Sequence, residues 1–310
     1  MAITAKDVQD LRTKTGAGMM ECKKALSETN GDMEEAIKFL REKGLATAAK
    51  KADRIAAEGI VDILFDEASK TAVMVEVNAE TDFVAKNDEF QALVQGVLKT
   101  ILNNKPADVD ALLAMNFDGS DITVDAAIKE KIAKIGENMS VRRFEVKTGA
   151  LTTYIHGKGS IGVIATFDGD TAALENADFA AAAKNVALQI TAMSPLYLDR
   201  SEVPASIIDG EKEILLAQIK NDPKTANKPQ AIIDKMVEGR IAKYYETNCL
   251  VDQAYVKDDA LTIAKYIDQC SKDLGGKIEI TGFVKYEKGE GIQKREDNFA
   301  EEIAQLTGQK

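Results

Sequence analysis

Asp82 and Phe83 place a carboxylate directly beside an aromatic ring, within the segment 81–87. Before this segment, residues 71–78 alternate in the manner of a β-strand, and after it a helical pattern begins for which Asp88 is the predicted N-cap. Loops at a strand-to-helix corner usually reach the surface. The alternative is that the ring of Phe83 folds back over the adjacent core, since a lone apolar residue in a loop needs no special explanation.

Other residues that could support catalysis lack the partners they would need. His156 is the only histidine, no cysteine lies near it in sequence, and no Gly-x-Ser-x-Gly elbow exists, so a catalytic triad has no support. The three cysteines are far apart and form no CxxC pair, which excludes a common zinc site: Cys22, Cys249 and Cys270. We therefore predict no catalytic residue and no metal ligand.

Residues 157–162 match the pattern G-x-G-x-x-G literally. A dinucleotide-binding fingerprint must open a helix whose N-terminal amides hold the pyrophosphate. The residues that follow, Val163–Phe167, instead have the pattern of a strand. We therefore predict a hairpin turn, and no bound cofactor.

The chain has 310 residues and a formal net charge of −11. A net acid is repelled by nucleic acid and by anionic membranes, so direct binding to either is disfavoured. No apolar run approaches the roughly 20 residues of a membrane helix, and the N-terminus lacks the pattern of a secretory signal. Lone thiols fit a reducing compartment. These features predict a cytoplasmic protein of one to three domains, and the net charge permits a basic or mixed protein partner.

Residues 1–45 are predicted to form three short helices. Thr4 caps the first, Asn30-Gly31 ends the second, and the third begins at Asp32 and ends near Gly44. The arrangement resembles the small ubiquitin-associated (UBA-like) type of three-helix domain, which binds partners and does not catalyse reactions. Residues 46–58 are rich in Ala and Lys, and we interpret them as a helical linker with a solvated basic face.

Residues 59–286 are predicted to form an α+β core of two similar subdomains with antiparallel sheets, at 59–140 and 141–286. In each, two strand-like runs precede an amphipathic helix, and three apolar positions recur 89 residues later: Phe90, Val97 and Ile101 as Phe179, Val186 and Ile190. Internal duplication accounts for the match, and two unrelated helices that share a pattern are the alternative. The second corner reads Asp168-Gly169-Asp170, so a Thr-Asp-Phe-Val corner belongs to the first copy only.

Two apolar-striped helices separated by Asn221-Asp222-Pro223 predict an antiparallel helical hairpin inserted at about 200–246. Such a hairpin serves contact or self-association, or simply packs onto the core. A helix near Asp259 to Leu274 and a strand that ends near Tyr286 are predicted to follow. The remaining residues, 287–310, are predicted to form a C-terminal module ending in the helix 297–306, which is too short to be stable without docking.

Several motifs in a fixed order resemble the elongation factor Ts family. They span nearly the whole chain: Leu11–Leu26, Thr81–Lys86, Lys134–Asn138 with Arg142-Arg143, Lys235–Arg240 and Gly289–Ile292. The resemblance implies a guanine nucleotide exchange factor for elongation factor Tu that does no covalent chemistry and has no cofactor of its own. The absence of a G-x-x-x-x-G-K-[ST] loop agrees with this.

The resemblance also implies which residues bind the partner. In the family, an Asp-Phe tip, here Thr81, Asp82, Phe83 and Val84, displaces the magnesium ion of elongation factor Tu, so that GDP leaves and GTP can bind. The other implied contacts are Arg12, Met19, Met20, Gly136, Glu137 and His156. From spacing alone, Met19 and Met20 could equally fill the core of the helical bundle.

The implied partner is elongation factor Tu in its GDP-bound and nucleotide-free forms. In the family, the helical hairpin is associated with a homodimer or a 2:2 complex. The alternative function is a non-catalytic scaffold or chaperone-like protein that recruits another partner through its UBA-like domain. An exposed Asp-Phe corner counts against that alternative, because recruitment needs no side chain that inserts into the partner as a wedge.

Overall fold

The structure, a computed structural model, describes residues 3–225 and 228–293. The fold mixes helices with small sheets, in agreement with the α+β class. The chain divides into two compact units, which we call unit 1 and unit 2. Unit 1 takes in the described parts of residues 1–64, 75–144 and 287–310, and unit 2 those of 65–74 and 145–286. The predicted helix 297–306 lies outside the described residues.

Three helices open unit 1: α1 (Ala5–Thr15), α2 (Met19–Glu28) and α3 (Met33–Ala49). Thr4 and Asp7 form a capping box at the start of α1, and Gly16 ends it in the left-handed conformation. The helices enclose a small apolar core: Val8, Leu11, Cys22, Ala25, Leu26 and Ala36.

The prediction that the third helix ends near Gly44 is wrong, because α3 continues to Ala49. A glycine inside a helix costs only about 1 kcal/mol relative to alanine. Here it permits a close approach, since a Cβ on Gly44 would lie 3.2 Å from the Cβ of Ala133 on a neighbouring helix. Residues 50–54 then form turns, so the expected helical linker over 46–58 is helical only in its first part.

The first sheet has the order β1-β2-β3, with strands β1 (Glu58–Asp66), β2 (Thr71–Ala79) and β3 (Met139–Thr148). All nine residues of the central strand β2 are buried. Between β2 and β3 lie four helices: α4 (Asp82–Ala85), α5 (Asp88–Asn104), α6 (Val109–Ala114) and α7 (Val124–Ile135). The N-cap of α5 is Asn87, whose side chain accepts from the N–H of Glu89, and not Asp88 as predicted.

The second sheet has the order β4-β5-β8, with strands β4 (Ala150–His156), β5 (Ile161–Gly169) and β8 (Ile278–Glu287). Strands β4 and β5 are antiparallel, and His156 pairs with Ile161 across the turn between them. The glycine motif is therefore a hairpin turn, as predicted. Helices α8 (Thr171–Leu174) and α9 (Phe179–Met193) follow β5, and α9 packs on β4 and β5.

Both sheets have the same connectivity: two strands, a one-turn helix, a longer helix, an excursion and a third strand beside the second. The positions match at the predicted offset, since α4 and α8 begin 89 residues apart and the helices after them end at left-handed residues, Lys105 and Ser194, with the same separation. This is the pattern that an internal duplication would give. The predicted boundary at 140/141 falls inside β3, which pairs with β2.

Two long helices, α10 (Ala205–Asn221) and α11 (Gln230–Asn248), pack against each other and share an apolar core. Next comes a two-stranded ribbon of β6 (Ala254–Tyr255) and β7 (Asp258–Thr262), followed by α12 (Ile263–Asp273). The prediction that a helix begins near Asp259 is therefore wrong. Thr262 accepts from the N–H of Lys265, which fixes the helix start after the ribbon.

No helix within residues 3–225 and 228–293 is long and apolar enough to cross a membrane.

Glu76 is a fully buried carboxylate on the part of β2 that belongs to unit 1. Its oxygens accept hydrogen bonds from Asn78 Nδ2 at 3.1 Å, Arg142 Nη1 at 3.1 Å, Arg143 Nε at 2.6 Å and Gly289 N at 2.8 Å. Burial alone would raise the pKa of Glu76, but these donors outweigh it and hold the pKa below its ordinary value. One charge thereby ties β2, β3 and residue 289 together.

Gly289 is required at that point for steric reasons. Its φ is +69°, and an added Cβ would lie 2.2 Å from the carbonyl oxygen of Ala57. Only glycine brings the backbone N–H close enough to bond Glu76.

Glu76→Gln is expected to destabilise unit 1 by about 3 kcal/mol at pH 7, because it leaves two arginines without their buried counter-charge. The pKa of Glu76 is lowered in the folded state, so its contribution is present above the unfolded pKa of about 4.3 and is lost as the pH falls through the folded value. The gap between wild type and variant should therefore shrink at pH 3. Urea unfolding followed by circular dichroism at both pH values measures it.

Glu130→Gln is the control, since this exposed carboxylate pairs with Arg41 at 3.0 Å and should change stability little. Equal losses in the two variants, or a gap that widens at pH 3, would contradict the assignment.

Candidate functional site

The segment Thr81–Val84, which we call the tip, begins directly beyond the end of β2. Its residues Asp82–Val84 lie in α4, a single helical turn ending at Ala85. Val84 and Ala85 are buried and anchor the turn, whereas the side chain of Phe83 is 78% exposed. The interpretation that this ring covers the adjacent core is therefore wrong. An exposed phenylalanine on a fixed turn is available to a partner.

Glu137 holds the first residue of the tip through both of its carboxylate oxygens. The backbone N–H of Thr81 donates to Oε2 at 2.9 Å, and the Thr81 hydroxyl donates to Oε1 at 2.8 Å. Thr81 is the N-cap of α4, but its side chain makes no cap hydrogen bond because it is engaged by Glu137. A carboxylate is a strong acceptor for two such donors, so the tip has a fixed starting point.

The turn that carries Glu137 is itself tied to two other segments. Gly136 ends α7 in the left-handed conformation, and its carbonyl oxygen accepts a hydrogen bond from Lys51. Asn138 donates from its side chain to the carbonyl oxygens of Ala52 and Arg54, at 3.2 and 2.8 Å. The prediction that the basic residues of 46–58 form a solvated face is therefore wrong for Lys51. This side chain instead bonds the turn that carries Glu137.

Glu80 completes this support from the strand side. Its Oε1 accepts from the backbone N–H of Asn138 at 2.6 Å, and its Oε2 lies 3.6 Å from Arg54. The end of β2, the 136–138 turn and the 51–54 turn therefore form one hydrogen-bonded group, which fixes the backbone beneath Phe83.

Asp82 is exposed and forms an ion pair with Lys86, Oδ2 to Nζ, at 2.8 Å. The hydrogen bond from Lys86 lowers the pKa of Asp82, so the carboxylate is ionised at neutral pH. The same ammonium lies 5.8 Å from the centre of the Phe83 ring. The tip thus presents a ring and a neutralised carboxylate together.

Three other residues implied by the resemblance, Arg12, Met19 and Met20, lie in the first two helices of unit 1. Arg12 is in the last turn of α1, and the two methionines open α2 after the turn 16–18. All three side chains are exposed, with Met20 at 74%. The interpretation that the methionines fill the bundle core is wrong, and thioether side chains suit an adaptable contact surface.

His156 lies in unit 2, at the end of β4, and is exposed. Its Nδ1 is 3.1 Å from the hydroxyl of Tyr154. The structure thus brings Glu137 to the tip, with Gly136 beside it in the same turn, and places Arg12, Met19 and Met20 on the successive helices α1 and α2. His156 belongs to the other unit.

Within the described part of the chain, no group of three or more His, Cys, Asp or Glu side chains could hold a metal ion. All three cysteines are buried and unpaired. Burial raises the pKa of Cys249 to about 11, which leaves that thiol protonated and unreactive at neutral pH.

Sequence reasoning missed the supporting residues of the site, namely Lys51, Glu80 and Asn138. They lie far from one another in sequence, and no periodic pattern connects them. For Glu80, the only available signal was a carboxylate beside a predicted turn, which is too common to interpret. Glu137 was expected from the family resemblance as a partner contact, and not as the residue that holds Thr81.

A comparison with family models and a comparison with individual proteins both match this chain to elongation factor Ts. The family described as Elongation factor TS matches residues 80–290, which include the tip, Glu137 and His156. A protein of Clostridium perfringens named elongation factor Ts is 52% identical over 309 residues, or 99% of each chain. Elongation factor Ts of Clostridium tetani is 50% identical over 305 residues, covering 97% of this chain and 98% of the relative. That of Syntrophotalea carbinolica is 47% identical over 310 residues, covering 99% and 100%.

Glu137→Ala is expected to loosen the tip without unfolding unit 1. Loss of charge-assisted hydrogen bonds worth about 1.5–3 kcal/mol should speed amide exchange at residues 80–86 roughly tenfold to a hundredfold. Hydrogen–deuterium exchange with mass spectrometry measures this directly. Glu130→Ala, a change of the same type on α7, serves as control, and similar exchange at 80–86 in both variants would show that Glu137 does not hold the tip.

Proposed function

The chain belongs to the elongation factor Ts family of translation elongation factors, and we propose that it binds elongation factor Tu and promotes the release of GDP. GTP then takes the empty site. This role is nucleotide exchange without covalent chemistry, and the exchange factor holds no nucleotide of its own. The residues that act are those of the tip.

The observation that carries this proposal is the exposure of Phe83 on a turn fixed by Glu137. A large aromatic ring held in water stabilises the free chain little, whereas its burial in a partner is worth about 1.5–3 kcal/mol. A preformed tip also loses little conformational entropy on binding. Both features support a wedge and have no use in a turn that only connects a strand to a helix.

In the proposed mechanism, the tip enters between helices of the nucleotide domain of elongation factor Tu. Phe83 separates these helices, and Asp82 brings its carboxylate towards the magnesium site. The magnesium ion is displaced, the phosphate loop loosens and GDP leaves. Thr81 and Val84 hold the tip in place and do not enter the partner, because Thr81 is bonded to Glu137 and Val84 is buried.

The exposed residues Arg12, Met19 and Met20 are proposed to provide affinity. Coupling between the factor and GDP is reciprocal, and each tenfold loss of GDP affinity requires about 1.4 kcal/mol of preference for the empty partner. Burying one ring supplies only one or two such decades. Contacts away from the tip must therefore hold the complex together while the tip acts.

Three further contacts remain proposals. Both oxygens of Glu137 accept hydrogen bonds from Thr81, and the carbonyl oxygen of Gly136 accepts one from Lys51. Glu137 and Gly136 therefore support the tip from within the chain, and they present their outer surfaces to the partner. His156 is exposed and available for contact. The hairpin of α10 and α11 has exposed Ile207, Ile214 and Ile232, which suit a homodimer or a 2:2 complex.

Phe83→Ala is expected to lower the maximal rate of GDP release about 10–100-fold, which corresponds to the lost burial of one ring. Binding of the factor should be weakened much less, because the contacts at Arg12, Met19 and Met20 remain. The measurement is stopped-flow release of a fluorescent GDP analogue from elongation factor Tu at increasing factor concentration.

Leu196→Ala is the matched control, since Leu196 is an apolar side chain in unit 2 that is 64% exposed. If elongation factor Tu released GDP as fast with Phe83→Ala and with Leu196→Ala as with wild type, the wedge role of Phe83 would be ruled out. The proposal that the chain promotes exchange would remain. If the wild-type chain did not accelerate GDP release, the proposed exchange function would be contradicted and the scaffold function would be favoured.

The double variant Met19→Ala/Met20→Ala is expected to raise the half-saturating factor concentration about thirtyfold, since each exposed methionine that is buried on binding is worth roughly 1 kcal/mol. The maximal release rate should stay within about twofold of wild type, because the tip is intact. The same titration separates the two quantities, and a fall in maximal rate at unchanged half-saturation would contradict an anchoring role.

A further inference from the structure

The tip is accompanied by a cation that none of the preceding assignments uses. Lys86 Nζ lies 2.8 Å from Asp82 Oδ2 and 5.8 Å from the centre of the Phe83 ring. One ammonium therefore neutralises the carboxylate and lies within cation–π distance of the ring. All three side chains are exposed.

The corner at α8 shows that the fold does not require this pair. Lys86 and Glu175, which end α4 and α8, have nearly the same backbone angles, φ −94° and ψ −3° against φ −89° and ψ −4°. Asn87 and Asn176 each accept a hydrogen bond from the N–H two residues on.

Unit 2 nevertheless has Thr171 and Glu175 where unit 1 has Asp82 and Lys86, so no ion pair can form between those positions. The same turn forms without the pair. The pair therefore occurs at the corner that has the exposed ring and is dispensable for the turn itself.

Stability of the free chain does not account for the pair either. An ion pair this exposed stabilises a protein little, because water competes for both charges. The situation changes when the tip leaves water. A lone carboxylate would then lose its hydration, and the phosphate oxygens of a bound nucleoside diphosphate would repel it. A carboxylate that is already paired enters such a site as a neutral group.

We propose that Lys86 neutralises Asp82 while the tip enters an anionic, phosphate-bearing site of the partner, so that the inserted group is the Asp82–Lys86 pair together with the ring. The inference rests on the proposed exchange function. Lys86 then acts through Asp82 and is a positioning residue for the wedge. Among the described residues, Lys86 is the one side-chain cation hydrogen-bonded to Asp82, and Lys288, whose charge also acts on that carboxylate, is held by Glu58.

The test compares GDP release from elongation factor Tu at saturating factor for wild type, Lys86→Met, Lys86→Arg, Asp82→Asn and the double variant Asp82→Asn/Lys86→Met. Methionine keeps the apolar stem and removes the charge. Lys129→Met is the matched control, because Lys129 pairs with Asp125 at 2.7 Å with the same four-residue spacing, and both side chains are partly exposed on unit 1. Circular dichroism and melting curves verify that each variant is folded.

Lys86→Met is expected to lower the maximal rate about tenfold, and Lys86→Arg should stay within about threefold of wild type because the charge is kept. The double variant should release GDP within about threefold of Asp82→Asn alone, since a neutral amide needs no counter-charge. The loss in Lys86→Met should persist at about 0.5 M potassium chloride, because a desolvated pair is screened little. Lys129→Met should match wild type.

Wild-type acceleration with an equally fast Lys86→Met would overturn this inference and leave the exchange function standing. An equal loss from Lys86→Met in the wild-type and Asp82→Asn backgrounds would also overturn it, since Lys86 would then act independently of Asp82. A loss that disappears at high salt would indicate steering of the encounter and would overturn it too. If wild type itself gave no acceleration, the exchange function would fail first.

Discussion

Glu137 accepts hydrogen bonds from both the backbone N–H and the hydroxyl of Thr81, and the position of the tip depends on these two bonds. An exposed phenylalanine has no packing of its own to hold it, so its direction must be set by the backbone beneath. That backbone is fixed at Thr81 by Glu137 and beyond it by the buried side chains of Val84 and Ala85. The ring can remain in water because everything below it is bonded or packed.

Carboxylates perform this positioning throughout unit 1. Glu76, Glu80 and Glu137 each bind groups from segments far away in the chain, and each uses its oxygens on backbone N–H groups, hydroxyls or cations. A carboxylate can accept several hydrogen bonds at once, and ionised acceptors make stronger bonds than neutral ones. Three acidic side chains thereby connect β2, β3, the 136–138 turn and residue 289 without enlarging the apolar core.

The two corners of the fold separate what the backbone turn requires from what the proposed exchange function requires. The turns at α4 and α8 have almost the same geometry, and each is followed by an asparagine that accepts a hydrogen bond from the N–H two residues on. Only the first has the aromatic ring, the acid and the lysine. A repeated turn with a single set of exposed side chains is consistent with one copy keeping a structural role while the other contacts a partner.

The sequence by itself determined the local elements and the family. Strand alternation, helical spacing and capping residues predicted most helices and strands, because these signals act within a few residues; the errors at Gly44, Asp88 and Asp259 were made where a neighbouring element or a competing cap decided the boundary. The motifs around Arg12 and Phe83 identified the family and the candidate site. Tertiary structure alone decided that Phe83, Met19 and Met20 are exposed, that β3 pairs with β2, and that Glu137 and Lys51 support the tip. These outcomes depend on contacts between residues distant in sequence, and such contacts leave no periodic trace in the chain.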